Sequence, residues 1–346
     1  MKISGQRAAF TFGVIAITLN PHFSWGESVG DFYQGKTIEI TVSSGEGGVN
    51  DNYARAIAQY IGKYIPGHPT VIAKNMPGAG GLKAAQYLYG IAPKDGTAYG
   101  VVQRDIIVQP VLEVGAATFD PSKFNWIGST ARETSVGVTW SASTPVMTIQ
   151  EAMATEVIVG TSGVTNETGS FPLILNRLAG TKFKPVHGYK SGTEIILAME
   201  RGEVQGRVGW SWGSVKSSRS ADWVKNGKIR LLVQMGTESA ADLPNVPLAL
   251  DLAKTPEDRE AMELLFAATT IGWPSLMPPN IPKDRLAAVR AAYADTMMDP
   301  SFVAALKKQG LELDPLSGEQ IQKMVEHIMS FPKSVIDRAQ AAIKPE

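Results

Sequence analysis

The 346-residue chain contains no cysteine. Disulfides, thiolate metal sites and a cysteine nucleophile are therefore excluded. A thiol-free chain is compatible with export, because it needs no disulfide machinery to fold outside the cytoplasm. Neither sign of charge is in excess, with 33 Lys and Arg against 33 Asp and Glu. No global field draws such a chain to nucleic acid or an anionic membrane, so no nucleic-acid partner is expected. Histidine is scarce. His22, His68, His187 and His327 are the whole set, and no pair has ligand spacing on one helix, so no metal is expected. The phosphate-binding pattern G-x-x-x-x-G-K-[ST] is missing. Gly78-Ala79-Gly80-Gly81-Leu82-Lys83 starts like a dinucleotide-binding loop but has Lys83 where the last glycine belongs, so no cofactor is expected. No stretch reaches the roughly 18 apolar residues that cross a bilayer.

What is present is ordinary for a soluble globular protein, at 44% hydrophobic and 19% charged residues. At roughly 150 residues per domain the length suggests two domains. The N-terminus has the layout of an export signal. Lys2 and Arg7 precede the apolar run Ala8 to Leu19, Pro21 breaks it, and Ser24 and Gly26 are the small residues before Glu27. Residues 1–26 are expected to be removed. Their removal would leave 31 basic and 33 acidic residues in an exported chain.

Alternating Thr37 to Val42 reads as a strand, followed by the loop Ser43 to Asp51 and a helix with apolar spacing from Tyr53 to Tyr64. The order recurs. A strand at Thr70 to Ala73 leads to the glycine loop Asn75 to Gly81 and a helix from Leu82, and Tyr99 to Gln103 reads as another strand. A second series has strands at Ser135 to Trp140, Glu156 to Gly160, Phe183 to His187, Val204 to Gly209 and Ile229 to Met235. Helices are expected at Phe171 to Leu178 and Glu194 to Arg201. Such alternation argues an α/β fold with a largely parallel sheet. From residue 246 onward helices dominate, at Pro256 to Phe266, Lys283 to Met297, Ser301 to Gln309 and Gly318 to Ala342, with one strand near Ala268 to Pro274. One strand makes a poor domain, so this third is expected to pack on the first lobe. The expected organisation is lobe 1 from 27–128 and 246–346, and lobe 2 from 129–245.

Three loops share the layout of strand, glycine and hydroxyl residues, then helix. A helix N-terminus carries unpaired N–H groups and about half a positive charge, and glycine lets an anion approach closely. Ligands of open α/β sheets bind beyond the carboxyl ends of the strands. The candidate ligand-binding residues are therefore Ser43, Ser44, Gly47, Gly48, Asn50 and Asp51 in one loop. Ser162, Thr165 and Asn166 stand in the second, and Lys190, Ser191 and Gly192 in the third. Arg104 and Arg132, beside strand ends, join them as partners for a carboxylate. Asp51 has three open roles: to cap the helix, to order Gly47 and Gly48, or to accept from a ligand hydroxyl or amine.

A catalytic alternative exists. Gly209-Trp210-Ser211-Trp212-Gly213 is a G-x-S-x-G after a strand, with His327 downstream. That motif needs a helix directly after the serine, and Gly213 to Ser218 reads as a poor start for one. His327 sits among Met324, Ile328 and Phe331 on an ordinary helix pattern. No catalytic residue is expected, and a serine esterase stays as the alternative.

In order, Gly47-Gly48 with Asp51 and Arg55, Asn75-x-Pro77-Gly78-Ala79-Gly80-Gly81, Pro93-x-Asp95-Gly96-Thr97, Gly188-Tyr189-Lys190-Ser191-Gly192, Gly202-Glu203-Val204-Gln205 and Leu243-Pro244-x-Val246-Pro247 form a specific series. It resembles the extracytoplasmic receptors of tripartite tricarboxylate transporters, the Bug family. The resemblance implies a type II periplasmic binding protein-like fold, two α/β lobes with a ligand cleft between them. It also implies capture of a small carboxylate and its delivery to membrane-embedded transporter subunits. The ligand would lie between the first glycine loop and the loops around Ser162 and Lys190. A monomer is expected. Thr165-Asn166-Glu167-Thr168 replaces a more glycine-rich segment, and a carboxylate at Glu167 disfavours a multiply charged ligand.

Overall fold

Among the described residues, eleven strands form two sheets. The computed structural model describes residues 1–2, 27–113, 117–163, 166–189, 191–216 and 219–344. Residues 3–26 of the segment read as an export signal lie outside the described residues, as do Thr165 and Lys190. In chain order the first four strands are β1 Thr37–Val42, β2 Thr70–Asn75, β3 Ala98–Val101 and β4 Asn125–Ser129. Next come β5 Ser135–Trp140, β6 Val157–Gly160, β7 Phe183–Val186, β8 Gly206–Ser211 and β9 Ile229–Met235. β10 Pro274–Met277 and β11 Leu316–Ser317 are last.

The first sheet has the order β11-β4-β10-β3-β1-β2 and the second β7-β6-β8-β5-β9. β1 runs parallel to β2 and β3, while β10 is antiparallel to both β3 and β4. In the second sheet β6 is parallel to β7 and β8, and β5 is antiparallel to β8 and β9. Both sheets are thus mixed rather than largely parallel. The first takes in two strands that reverse, β10 and β11, both from the C-terminal third, and the second takes in one, β5, which enters directly from β4. The short β4–β5 connection and the segment after β9 are where the chain passes between the sheets.

Alternation explains β1. Ile38, Ile40 and Val42 point to one side and are buried, in a cluster with Tyr53, Ile57 and Ile61 of the helix Val49–Ile61 and with Phe302 and Tyr293. A larger cluster joins the sheets. Trp126 and Leu276 of the first, Val208, Leu232 and Val233 of the second, and Phe171 and Phe266 between them form one apolar mass. Phe171 and Phe266 meet edge to face at 5.0 Å. A third cluster packs Ile195 and Met199 against Trp210 and Trp223 on the far side of the second sheet.

The structure corrects several expected elements. Ala268 to Ile271 are the last turn of the helix Pro256–Ile271, not a strand; β10 begins at Pro274. The β-branched run Thr269-Thr270-Ile271 reads as strand, but all three residues are buried as the last turn of a long helix, which Gly272 ends. The expected helix Gly318 to Ala342 is two, Gly318–Met329 and Lys333–Ile343, because Pro332 has no N–H to continue the ladder. The helix expected from Phe171 starts at Glu167, with Asn166 as its cap.

Candidate functional site

The first glycine loop is held from inside. Gly47 has φ 75°, a conformation that favours glycine. Its N–H donates to Asp51 Oδ2 at 2.8 Å. Arg55 Nε donates to the same oxygen at 2.9 Å, and Asn75 Nδ2 donates to Asp51 Oδ1 and to the Ser44 carbonyl, each at 2.9 Å. Arg55 Nη2 closes the ring on Asn75 Oδ1. Burial alone would raise the Asp51 pKa, but Arg55, Gly47 and Asn75 outweigh it and hold the carboxyl below its ordinary 3.8. Asp51 therefore orders the loop, one of the three roles open in the sequence, and its oxygens are spent on that task. Asn75 is the link that a motif scan does not show.

Loss of this carboxylate has a defined signature. Asp51→Asn is expected to lower stability by about 1–2 kcal/mol at neutral pH, through lost charge-assisted hydrogen bonds. Because the folded pKa is depressed, the wild-type advantage is full above the unfolded value and disappears as pH falls through the folded one. Urea melts of both proteins at pH 7 and at pH 3 check this; an equal gap at both would refute it.

The ordered loop presents the N-terminus of the helix Val49–Ile61. Gly48 is the cap residue and has no side chain to satisfy the first turn. Ser44, Gly48, Val49 and Asn50 line a cavity of about 340 Å³, completed by Gln103, Arg104, Asp105, Glu167 and Trp273. That size suits a small molecule. The two sheets meet here: Arg104 follows β3, Glu167 opens the helix after β6, and the Arg104 guanidinium donates to the Glu167 carboxylate. Glu167 Oε2 also accepts from Ser135 Oγ at 2.8 Å. Two polar atoms of the lining are buried without a hydrogen-bond partner, Asn50 Oδ1 and Arg104 Nη1. Burial would push the Arg104 pKa down, but Glu167, Asp105 and Glu133 outweigh it. Burial pushes the Asp105 and Glu133 carboxyls up, with Arg104 opposing in both.

The other predicted residues are placed around this centre. Ser43 is buried and accepts from the Gln103 N–H at 2.7 Å, tying the ends of β1 and β3 together. Ser162 N–H donates to Thr168 Oγ1 at 3.0 Å, and Asn166 Oδ1 accepts from Thr168 Oγ1 at 2.7 Å, so both shape the cap of the Glu167 helix. Ser191 caps the helix Gly192–Glu200. Gly192 lies against Arg207, where a Cβ would stand 2.6 Å from Nη1. Sequence reasoning missed Arg207, Trp273 and Gln103. A basic residue inside the apolar β8 was the available signal for Arg207. Burial lowers its pKa to about 10, with Glu167 opposing. It donates to the Gly192 carbonyl at 3.3 Å and stacks on Trp210.

Arg132 is elsewhere. It lines a second cavity of about 570 Å³ with Trp212, Lys216, Asp242, Glu312 and Asp314. Its guanidinium donates to both Asp314 oxygens at 2.9 Å and to Glu238 at 3.1 Å. Lys216 pairs with Asp242 and Glu312. Five carboxylates face two cations among the described lining residues, so this larger space repels an anion.

The esterase alternative fails on geometry. A short helix, Trp212–Lys216, does follow Ser211, which corrects the expectation of a poor helix start. However, Ser211 Oγ donates to Glu133 Oε2 at 2.8 Å, and His327 Nε2 pairs with Glu263 at 3.2 Å. Neither is the other's partner, and a nucleophile–base pair requires that contact.

Two α/β units that meet at a cleft lined by a glycine-loop helix N-terminus define a solute-binding receptor of the type II periplasmic-binding-protein class. Comparison with known proteins agrees. Residues 53–340 match the profile described as tripartite tricarboxylate transporter family receptor. The chain belongs to that family. The UPF0065 protein in the gbd 5′ region of Cupriavidus necator is 26% identical over 319 residues, 89% of each chain. A TctC solute-binding protein from Polaromonas, solved without ligand, superposes with a TM-score of 0.70 at 20% identity, covering 88% of this chain and 99% of that one. An R. palustris protein solved with adipate gives 0.60 at 20% identity, covering 88% and 97%. Among the described residues no helix is long and apolar enough to cross a membrane.

Proposed function

We propose that this receptor captures a small carboxylate in the cavity at Ser44–Asn50 and delivers it, without chemistry, to membrane-embedded subunits of a tripartite transporter. The observation that carries this is the uncapped N-terminus of the Val49–Ile61 helix opening into a cavity closed by Arg104 and Glu167. Uncapped N–H groups and the helix dipole favour an anion there. Adipate in a protein of the same fold supports a carboxylate. Of the predicted residues, Ser44, Gly48, Asn50 and Arg104 face the ligand, and Ser43, Gly47, Asp51, Ser162, Asn166, Ser191 and Gly192 shape the loops that present them. Thr165 and Lys190 are adjacent in sequence to these loops. The working lobes are 27–128 with 246–346, and 129–245. The segments near Gly128 and Asn245 act as the hinge. The chain works as a periplasmic monomer after loss of residues 1–26.

A thermal-shift screen of mono-, di- and tricarboxylates, aromatic acids and acidic amino acids tests the proposal. A ligand at 100 times its dissociation constant adds about 2.7 kcal/mol of stability and raises the melting temperature. A melt unmoved by the whole panel refutes it.

A further inference from the structure

Glu167 is the first residue of the helix Glu167–Ile174 and lines the same cavity as the Val49–Ile61 N-terminus. It brings a carboxylate of the protein's own into that space. Three things hold it there. The Arg104 guanidinium donates to Oε1, Ser135 Oγ donates to Oε2 at 2.8 Å, and the first-turn position suits a negative charge. The backbone is fixed as well: a Cβ on Gly209, which has φ 80°, would stand 2.7 Å from the Glu167 carbonyl carbon, so β8 packs directly on it.

The charge count of the cavity then decides what fits. Arg104 is the one cation among the described lining residues, and Glu167 and Asp105 are acidic. The charge of Arg104 is already matched by Glu167 through Nη2, and only its Nη1 is left without a partner. One ligand carboxylate is satisfied by the N–H groups at Gly48–Asn50. A second would meet Glu167 with no free cation to pair with, and like charges in a partly buried space disfavour ionised partners. Trp273 and Val49 supply apolar wall instead. Arg207, the next cation, is outside this lining and behind Gly192.

Resting on the receptor reading above, we infer that Glu167 selects a carboxylic acid with one negative charge and an uncharged far end, by occupying Arg104 in place of a second ligand carboxylate. The likeness in fold to an adipate-bound protein does not bear on this, since Glu167 acts through its own charge.

The test uses acid pairs that share a carbon count and differ in the second carboxylate: butanoate and succinate, hexanoate and adipate, 4-methylbenzoate and terephthalate. Titration calorimetry at neutral pH on the full mature chain reads the affinity ratio within each pair. Wild type is expected to favour a monoacid by about tenfold or more. Glu167→Gln, nearly isosteric, is expected to shrink that ratio about tenfold by tightening the diacid, and Glu167→Ala to do the same. Thermal melts of the free proteins verify that each variant is folded. A wild-type preference for the diacid overturns the inference without any variant. So does a ratio that folded Glu167 variants leave unchanged. If other carboxylates bind but no member of these pairs does, the selectivity claim falls and the receptor reading stands. Silence toward every carboxylate overturns both.

Discussion

Gly272→Ala is expected to destabilise the protein by about 3–5 kcal/mol, the range of substitutions that combine a forbidden backbone with a core clash. Gly272 ends the helix Pro256–Ile271 with φ 68° and ψ −102°. No residue with a Cβ occupies that region comfortably. The space is closed too. A Cβ there would stand 2.0 Å from the Ala131 carbonyl oxygen, which is backbone and cannot rotate aside. The neighbours are tied to the same segment: Trp273 N–H donates to Ser129 Oγ at 2.9 Å, and Thr130 N–H to the Trp273 carbonyl at 3.4 Å. Relief therefore requires moving the β4–β5 connection, one of the two passages between the sheets. A fall in melting temperature of roughly 10 °C follows for a chain of this size. Because Trp273 lines the cavity, ligand affinity should fall with it. A variant that melts within about 2 °C of wild type would show that the connection yields easily.

Arg104→Ala is expected to cost about 2–4 kcal/mol at neutral pH, because removing one partner strands the other. The side chains of Arg104 and Glu167 are 15% and 25% exposed, so solvent recovers part of the loss and the lower half of that range is the expectation. Asp105 and Glu133 also lean on this guanidinium. Burial already raises both carboxyls, and Arg104 opposes it. Without Arg104 their folded values rise further. An acid with a raised folded pKa stabilises below its unfolded value and loses that contribution as pH climbs through the folded one. The gap between wild type and Arg104→Ala should therefore be smaller at pH 4.5 than at pH 7. Adding Glu167→Gln should recover part of the loss, since the stranded charge is gone; strict additivity of the two changes would mean that the pair is not coupled. Ligand binding should weaken at least tenfold, because the lobes lose the clasp between them.

Much of this was legible locally. β1, β5 and β9 have the bounds that alternation and β-branching give them, and the loop from Ser43 to Asp51 is where a strand, glycines and a helix start demand a turn. Those signals act over a few residues: alternation repeats every two, a glycine takes its own φ, and Asn166 caps a helix that begins next to it. Asp51 with Arg55 is also local, one turn apart on one helix. The errors share a cause. Thr269-Thr270-Ile271 has strand propensity, but burial at the end of a long helix overrode it. Arg132 sits beside a strand end like Arg104, yet it turns to Asp314, 182 residues away, in a different cavity.

The sequence by itself determined the order of elements, the glycine loops that expose helix N-termini, and membership in a receptor family. The tertiary structure alone decided which of those loops share a cavity, that Arg104 is already paired with Glu167 across the cleft, and that Trp273 closes the wall. The reason is physical. A helix N-terminus is made by its own neighbours, whereas the charge balance of a cleft is a sum over groups from separate chain segments, brought within a few ångströms by the burial of a shared core.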